Sequence, residues 1–154
     1  METRPRLREV RKVENKKEVH SMTVYVHPDV LDHGLEYLMA NAEWQIACEG
    51  APASYAEATT APASGKALAA VAMSSADFTI VDTDDGGRAV SWKTKIRVLV
   101  SANGTVDHVV FVSSTDSKLL MVREAISGVP LGGAGVRTVT LRGSRFLFPM
   151  PELV

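Results

Sequence analysis

A chain of 154 residues and 16.6 kDa has the size of one ordinary domain, which buries a core without disulfides. Its 45% hydrophobic and 23% charged residues are typical of a globular protein, and it contains no apolar run near the roughly 18 residues that span a membrane. The single cysteine excludes an internal disulfide and a cysteine-based metal site, and the net charge of -1 conceals a basic first segment followed by an acidic body.

Residues 1–21 are predicted to form a charged arm in front of a single β-rich domain of residues 22–154. The arm carries seven Lys/Arg against four Asp/Glu, a charge that attracts an acidic neighbour at long range. It has no interleaved aromatic side chains, which disfavours stacking on nucleic-acid bases and leaves phosphate contact alone, a partner protein or a solvated tail. It also lacks the apolar segment of a secretory signal, so no export is expected. The arm residues predicted to contact a partner are Arg4, Arg6, Leu7, Arg8 and Arg11.

The first half of the domain is predicted to hold one helix between short strands. Residues 23–26 favour a strand, and residues 28–42 favour a helix. The helix prediction rests on four apolar residues at helical spacing, Leu31, Leu35, Leu38 and Ala42. Gly34 weakens this helix by about 1 kcal/mol relative to alanine. Residues 44–48, WQIAC, predict a buried strand, and residues 49–65 predict a long surface loop.

The second half of the domain is predicted to consist of strands. Residues 67–73 and 77–82 favour extended structure. Residues 89–102 form one predicted strand, which Asn103-Gly104, a strong hairpin signal, turns back antiparallel into the next. The later predictions are a turn at 114–117, a strand at 118–126, a glycine-rich loop at 128–135, a strand at 137–143 and an apolar tail at 145–154. Six or more short strands spaced by turns predict an antiparallel β-sandwich or barrel-like domain with one early helix.

The predicted turn at residues 114–117 joins two strands that are apolar on both faces. By strand alternation Val109 and Phe111 are expected opposite Val110 and Val112, and Leu119 and Met121 opposite Leu120 and Val122. A strand with one wet face would alternate with polar residues, so either a second layer of the domain or another chain is expected to cover the second face. The candidate subunit contacts of the domain are Val110, Val112, Leu120, Val122, Phe146 and Phe148.

The polar residues of this region have a structural explanation. Asp107 and His108 are adjacent, so on a regular strand their side chains leave opposite faces and no base-and-orienter pair is expected. The serines that follow stand where a turn takes small polar residues, and no nucleophile elbow surrounds them. Cys48 lies in an apolar run, which favours a buried thiol over a reactive thiolate.

The metal and cofactor motifs are incomplete. An EF-hand loop that begins at Asp82 would need a glutamate at position 93, where Lys93 stands, so only a weaker calcium site at Asp82–Asp85 stays open. The glycine-rich residues 131–137 fit neither the dinucleotide fingerprint nor the P-loop. The four histidines include no pair at i,i+4 spacing. We therefore predict no catalytic, cofactor-binding or metal-binding residue, and we expect the protein not to be an enzyme.

Three segments carry a Tyr-Ala-Glu-Ala loop, an Asp-Phe-Thr strand followed by Gly-Arg, and a Gly-Thr-x-x-His-Val hairpin that ends in Leu-Leu-x-Val. They lie at residues 55–60, 68–90 and 104–122. In this order they resemble a group of small tailed-bacteriophage virion proteins, over roughly residues 23–150. The arm lies outside the resemblance, and the end FLFPMPELV departs from the Pro-Ala-Trp-Asp-like strand of many relatives.

The resemblance implies a non-enzymatic virion structural protein. Of the roles that the resemblance implies, the leading one is a capsid decoration (cement) protein that stabilises the particle. A head-to-tail connector or tail component is the alternative. The implied partners are the major capsid protein or neighbouring copies in a homo-oligomer or lattice, without nucleic acid or membrane, and the implied location is the virion. A small carbohydrate- or ligand-binding β-module stays open as a different class, because Trp44, Tyr55 and Trp92 are aromatic side chains on which a sugar could stack.

Overall fold

The computed structural model describes residues 24–26, 33–84, 88–132 and 138–148. As the sequence predicts, the fold is mainly β, with 53% strand and 15% helix, antiparallel sheets and one early helix. The strands are β1 (Val24–Val26), β2 (Trp44–Cys48), β3 (Ala67–Ala72), β4 (Phe78–Asp82), β5 (Arg88–Trp92), β6 (Lys95–Leu99), β7 (Gly104–Ser113), β8 (Lys118–Leu131), β9 (Thr138–Leu141) and β10 (Arg145–Phe148). The helices are α1 (Leu35–Asn41) and α2 (Tyr55–Thr59), and a 3-10 turn spans Ser75–Asp77.

A five-stranded antiparallel sheet is the central layer of the fold, with the order β1-β8-β7-β2-β3. The strands β7 and β8 are its longest members and lie in its middle. A three-stranded sheet, β10-β5-β4, and a two-stranded sheet, β6-β9, complete the described strands. Strand β7 lies between β8 and β2, and β1 pairs with β8 at residues 121–123, so the middle of the β7–β8 pair has strand neighbours on both sides.

One face of the central sheet is covered by a layer that is divided in two. Helix α1 and the three-stranded sheet pack on Phe111 and Met121. The two-stranded sheet packs farther along on Ala47 and Val106. Ala47 pairs with Val109, which lies on the same side of β7 as Phe111, and Val106 lines the same groove as Val109. Phe111 is the centre of the first core, with the ring of Trp92 edge-on to it at a centroid distance of 5.0 Å.

The opposite face of the central sheet carries a separate core beneath the short helix α2. Ile46, Val110 and Val122 are buried there with Ala58 of the helix. Ser54 caps this helix by accepting a hydrogen bond of 3.2 Å from the backbone N–H of Glu57. The segment 49–65, which was predicted to be a surface loop, therefore contains a short helix that was not predicted from its alanine-rich sequence.

A β-bulge changes the predicted alternation of β8. The register shifts between Phe111 and Val112, so that Phe111 pairs with Met121 and Val112 with Leu119. Leu120 is the extra residue of the bulge. Leu119 and Val122 consequently share one core, while Leu120 and Met121 share the other. The prediction that Leu119 and Met121 oppose Leu120 and Val122 is therefore wrong.

The predicted hairpin at Asn103-Gly104 is also wrong, because β6 pairs with β9 and β7 pairs with β8 and β2. The chain between β6 and β7 is held by β3, where the backbone N–H of Ser101 donates to the Leu68 carbonyl at 2.8 Å. A Cβ atom at Gly104 would lie 2.9 Å from a methyl group of Leu68. The glycine is needed for this close approach and not for a two-residue turn.

Other predicted boundaries also shift. The helix α1 begins at Leu35, because Gly34 has a φ of 72°, in the left-handed region. Residues 28–32 of the predicted helix lie outside the described residues. The predicted strand at 89–102 is two strands, β5 and β6, and the first part of the predicted glycine-rich loop belongs to β8. The turn at 114–117 is confirmed.

Glu43 holds the turn between β7 and β8. Its carboxylate accepts hydrogen bonds from the backbone N–H groups of Ser114 and Thr115, at 2.6 and 2.9 Å, and from both hydroxyls. These bonds, from the Ser114 hydroxyl first and then from Thr115, lower the pKa of Glu43 from 4.5 to about 2. The turn that closes the central strand pair is thus fixed from outside the hairpin.

We expect Glu43→Gln to lower the thermal unfolding midpoint at neutral pH, because an amide cannot replace the charged acceptor. The folded pKa lies below the unfolded value, so the carboxylate stabilises the fold above pH 4.5 and loses this effect as the pH falls towards about 2. The midpoints of the two proteins should therefore converge over that range. Glu36→Gln, on the exposed side of α1, is the control. Parallel midpoint curves for the native protein and Glu43→Gln would contradict the assignment.

Gln45 is a polar residue in the core, fully buried on β2. Neither its amide nitrogen nor its amide oxygen has a hydrogen-bond partner within the described ranges. A buried polar group without a partner costs about 1–3 kcal/mol. We expect Gln45→Met, which keeps the length of the side chain, to raise the free energy of unfolding by about 1 kcal/mol in denaturant titrations. A lower value would mean that the amide is satisfied in solution.

Candidate functional site

The predicted subunit contacts on β7 and β8 are inside the fold. Val110, Val112, Leu120 and Val122 are each at most 1% exposed. They supply the two cores of the central sheet and offer no surface to a neighbouring subunit, so their prediction as contacts is wrong. The chain itself covers both apolar faces, which was the other alternative that the sequence left open.

The remaining predicted contacts have different positions. Phe146, on β10, is partly buried against the core around Phe111. The side chain of Phe148 lies outside the described residues, as do the arm residues Arg4, Arg6, Leu7, Arg8 and Arg11. Their role as contacts stays a prediction.

The structure brings Asp107 and His108 together, although strand alternation predicts them apart. A register shift between Val106 and His108 breaks the alternation, and Nδ1 of His108 lies 2.7 Å from Oδ1 of Asp107. The same oxygen accepts a hydrogen bond of 2.5 Å from the backbone N–H of Gly50. Burial alone would raise the pKa of Asp107, but the bonds from His108 and Gly50 hold it below its ordinary value.

Cys48 is the cross-strand partner of His108, so a thiol, an imidazole and a carboxylate follow one another in space. The order is that of a nucleophile, a base and an orienting group. However, Cys48 is fully buried, its thiol points at the carbonyl of Ala58, and burial raises its pKa to about 12. No substrate reaches the sulfur. The bonds instead fasten the segment after β2 to β7, which is a structural role.

A shallow pocket of about 420 Å³ lies beside helix α2. Trp44, 39% exposed, and Tyr55 form its aromatic walls. Thr59 and Ser101 supply its side-chain hydroxyls. Trp92 lies elsewhere and is only 6% exposed, so its ring is not available for stacking. Of the three aromatic residues considered for a carbohydrate site, the structure thus brings two together.

A larger groove of about 600 Å³ opens between the two halves of the divided layer. The chain crosses between the halves at residues 93–94 and 142–144. These crossings are tied together by a bond of 2.8 Å from the Gly143 N–H to the Thr94 hydroxyl. The groove lining includes Trp92, Val109, Arg123, Glu124, Val129, Val139, Thr140 and Leu141.

Arg123 is the unusual residue of this groove. Its guanidinium donates to the Ser144 hydroxyl and, at 3.0 Å, to the Arg145 carbonyl, and it lies 5.7 Å from the centre of the Trp92 ring. Within the described part of the chain it has no carboxylate partner. Burial lowers its pKa. Arg123 was not among the predicted site residues, although a cation directly after the apolar run LLMV was a usable signal.

The outer surface of β6 exposes two large apolar side chains. Ile96 is 69% exposed and Leu99 is 72% exposed, while Val98 between them is buried. A register shift between Lys95 and Val98 disturbs the alternation of this strand. These two residues were not predicted as contacts, because the run KIRVLV resembles an ordinary half-buried strand.

The described residues contain no cluster of three or more His, Cys, Asp or Glu side chains that could hold a metal ion. Asp82, the first residue of the weak calcium candidate, pairs with Arg88 at 3.0 Å, and Asp85 lies outside the description. No helix in the described ranges is long and apolar enough to cross a membrane.

Comparisons with protein-family models, with curated proteins and with solved structures find no match for this chain. No relative therefore assigns a role to any of its residues.

We expect the thiol of Cys48 to resist alkylation by iodoacetamide in the native protein at mildly alkaline pH. The thiol is buried and protonated there, whereas alkylation needs an exposed thiolate. In guanidinium chloride the same thiol should react as fast as free glutathione. Rapid native labelling, measured by mass spectrometry, would contradict the structural role and reopen the interpretation with His108 and Asp107.

Proposed function

We propose that the chain is a non-enzymatic structural protein of a tailed-bacteriophage virion, and that it acts as a capsid decoration (cement) protein that stabilises the particle through subunit contacts. The resemblance of residues 55–60, 68–90 and 104–122 to small virion proteins supports the class. The exposed pair Ile96 and Leu99 on β6 is the structural observation that carries the proposal.

Single exposed apolar residues are ordinary on protein surfaces. Two large exposed aliphatic side chains on one short strand form an apolar surface whose burial by a partner is favourable. Burial of each side chain contributes about 1.5–3 kcal/mol. Since the two large apolar faces of the central sheet are already covered by the chain, this smaller surface remains for a partner. A particle lattice multiplies such a modest contact over many copies.

The polar groups of the described residues support a role without catalysis. The carboxylates of Glu43 and Asp107 hold a turn and a loop, and the Cys48 thiol is buried. Each of these groups thus has a structural contact within the fold. The proposed partners are the major capsid protein or neighbouring copies, and the arm at residues 1–21 is a second proposed contact. A position at the head-to-tail junction or in the tail is the alternative location.

A ligand-binding module is the second candidate function, and the pocket of Trp44 and Tyr55 favours it. Sugars stack on exposed aromatic faces, and nearby hydroxyls orient them. A glycan array tests this candidate: a saturable signal that Trp44→Ala abolishes would support it, and an array without signal would remove it.

We expect the protein to band with purified virus particles in a density gradient, in the amount of a repeated structural component. Ile96→Ser combined with Leu99→Ser should reduce its binding to particles that lack it by about tenfold or more, because two apolar side chains no longer enter the contact. The thermal unfolding midpoint should hardly change, since both side chains are exposed in the free chain.

Val81→Ser is the matched control, because Val81 is also exposed but lies on β4 of a different sheet. It should leave particle binding intact. Absence of the protein from the particle band would contradict the proposed function. If the protein is present in the particle band but the double variant binds particles as well as the native protein, the role of Ile96 and Leu99 is contradicted.

A further inference from the structure

The groove between the two halves of the divided layer has a cationic floor and apolar walls. Arg123 and Val109 come from neighbouring strands of the central sheet, β8 and β7. Val129 and Val139 face the groove from β8 and β9. The same lining also carries the charged residues Glu124 and Arg142. A few charged groups set among apolar side chains are the composition of a site that orients a ligand by polar contacts.

Among the residues that the structure describes, no carboxylate pairs with Arg123, although its guanidinium is partly buried. Its hydrogen bonds within the described residues go to two neutral oxygens, the Ser144 hydroxyl and the Arg145 carbonyl. Of its donors only Nη1 is used in these bonds. A carboxylate accepts two parallel hydrogen bonds from a guanidinium, which makes it the best complement for the remaining donors.

The indole N–H of Trp92 is a second donor without an acceptor. The Trp92 side chain lines the groove but is only 6% exposed. Its Nε1 has no hydrogen-bond partner among the described residues. An indole N–H in a protein interior usually finds an acceptor. The Arg123 guanidinium lies 5.7 Å from the centre of the Trp92 ring, so an acidic group bound to Arg123 would change the surroundings of this indole.

The wall formed by β9 indicates that the occupant is an extended chain. Three consecutive residues, Val139, Thr140 and Leu141, line the groove, as expected when a groove follows the edge of a strand and not one face. The described strands give β9 one ladder partner, β6. Its other edge thus presents backbone groups that can pair with an added strand.

Glu124 argues against a polyanion such as nucleic acid. Its carboxylate belongs to the same lining as Arg123. The successive phosphates of a nucleic acid would be repelled by the Glu124 carboxylate. A peptide with a single acidic side chain among apolar neighbours can bind Arg123 without placing a second negative charge near Glu124.

We propose that this groove binds an extended segment of a partner protein, which pairs with the free edge of β9 and places one acidic side chain on Arg123. Apolar side chains on both sides of the acidic residue contact Val129 and Val139. The inference rests on the proposed function, because it names the chemistry by which a neighbouring subunit is recognised. It uses a surface other than that of Ile96 and Leu99.

The test uses two capped peptides of alternating valine and threonine, one with glutamate at its centre and one with glutamine. Nitrogen-15 NMR of the full chain follows the indole N–H signals of Trp92 and Trp44, of which Trp44 is an internal control away from the groove. The glutamate peptide should shift the Trp92 signal saturably and leave Trp44 unchanged. The glutamine peptide should bind about tenfold more weakly, because its acceptor is neutral.

Arg123→Met should abolish the preference for glutamate, and Arg97→Met on the exposed surface of β6 is the matched control. If Arg123→Met does not fold, Val129→Glu serves instead, since Val129 is exposed and a new carboxylate in the groove should weaken the glutamate peptide by about tenfold. Equal affinity for both peptides, no shift at Trp92, or an unchanged preference in the variants would overturn the proposal. Particle banding that depends on Ile96 and Leu99 would still uphold the proposed function.

Discussion

The burial of both faces of the β7–β8 pair is the constraint on which the rest of the structure depends. Phe111 and Val112 are neighbours in sequence, yet their side chains enter two different cores. The side chains of both cores are mainly apolar and buried, so the chain has to supply cover twice. Helix α2 and its loop serve one face, and helix α1 with two small sheets serves the other.

The division of that second cover explains where the groove lies. Two separate sheets leave a gap over the central sheet, and the chain crosses the gap at residues 93–94 and 142–144. Under an undivided layer the position of Arg123 would take an apolar side chain, because a buried guanidinium without a carboxylate is costly. At the gap the cation keeps partial access to solvent and rests on Trp92. The candidate site therefore results from topology and not from a sequence motif.

Local patterns were sufficient for much of the fold, while register was not predictable from sequence. The strand of residues 44–48, the turn at 114–117 and the buried Cys48 follow from short-range composition, and the structure confirms them. The bulges near His108 and Leu120 depend on contacts with distant strands, so simple alternation assigned faces wrongly there. The partner of β6 lies about forty residues along the chain in β9, which no hairpin signal could indicate. Arg123 was missed because its surroundings come from three separate sheets.

The central claim is that the chain alone covers the apolar faces of β7 and β8, which leaves the β6 surface and the groove for partners. Native-state hydrogen exchange, measured over a range of protein concentrations, tests this claim most directly. The amides of Phe111, Val112 and Val122 should exchange only through global unfolding, with protection that does not depend on concentration. Protection of these amides that increases with concentration would show that a second copy covers one of the faces, and it would contradict the claim.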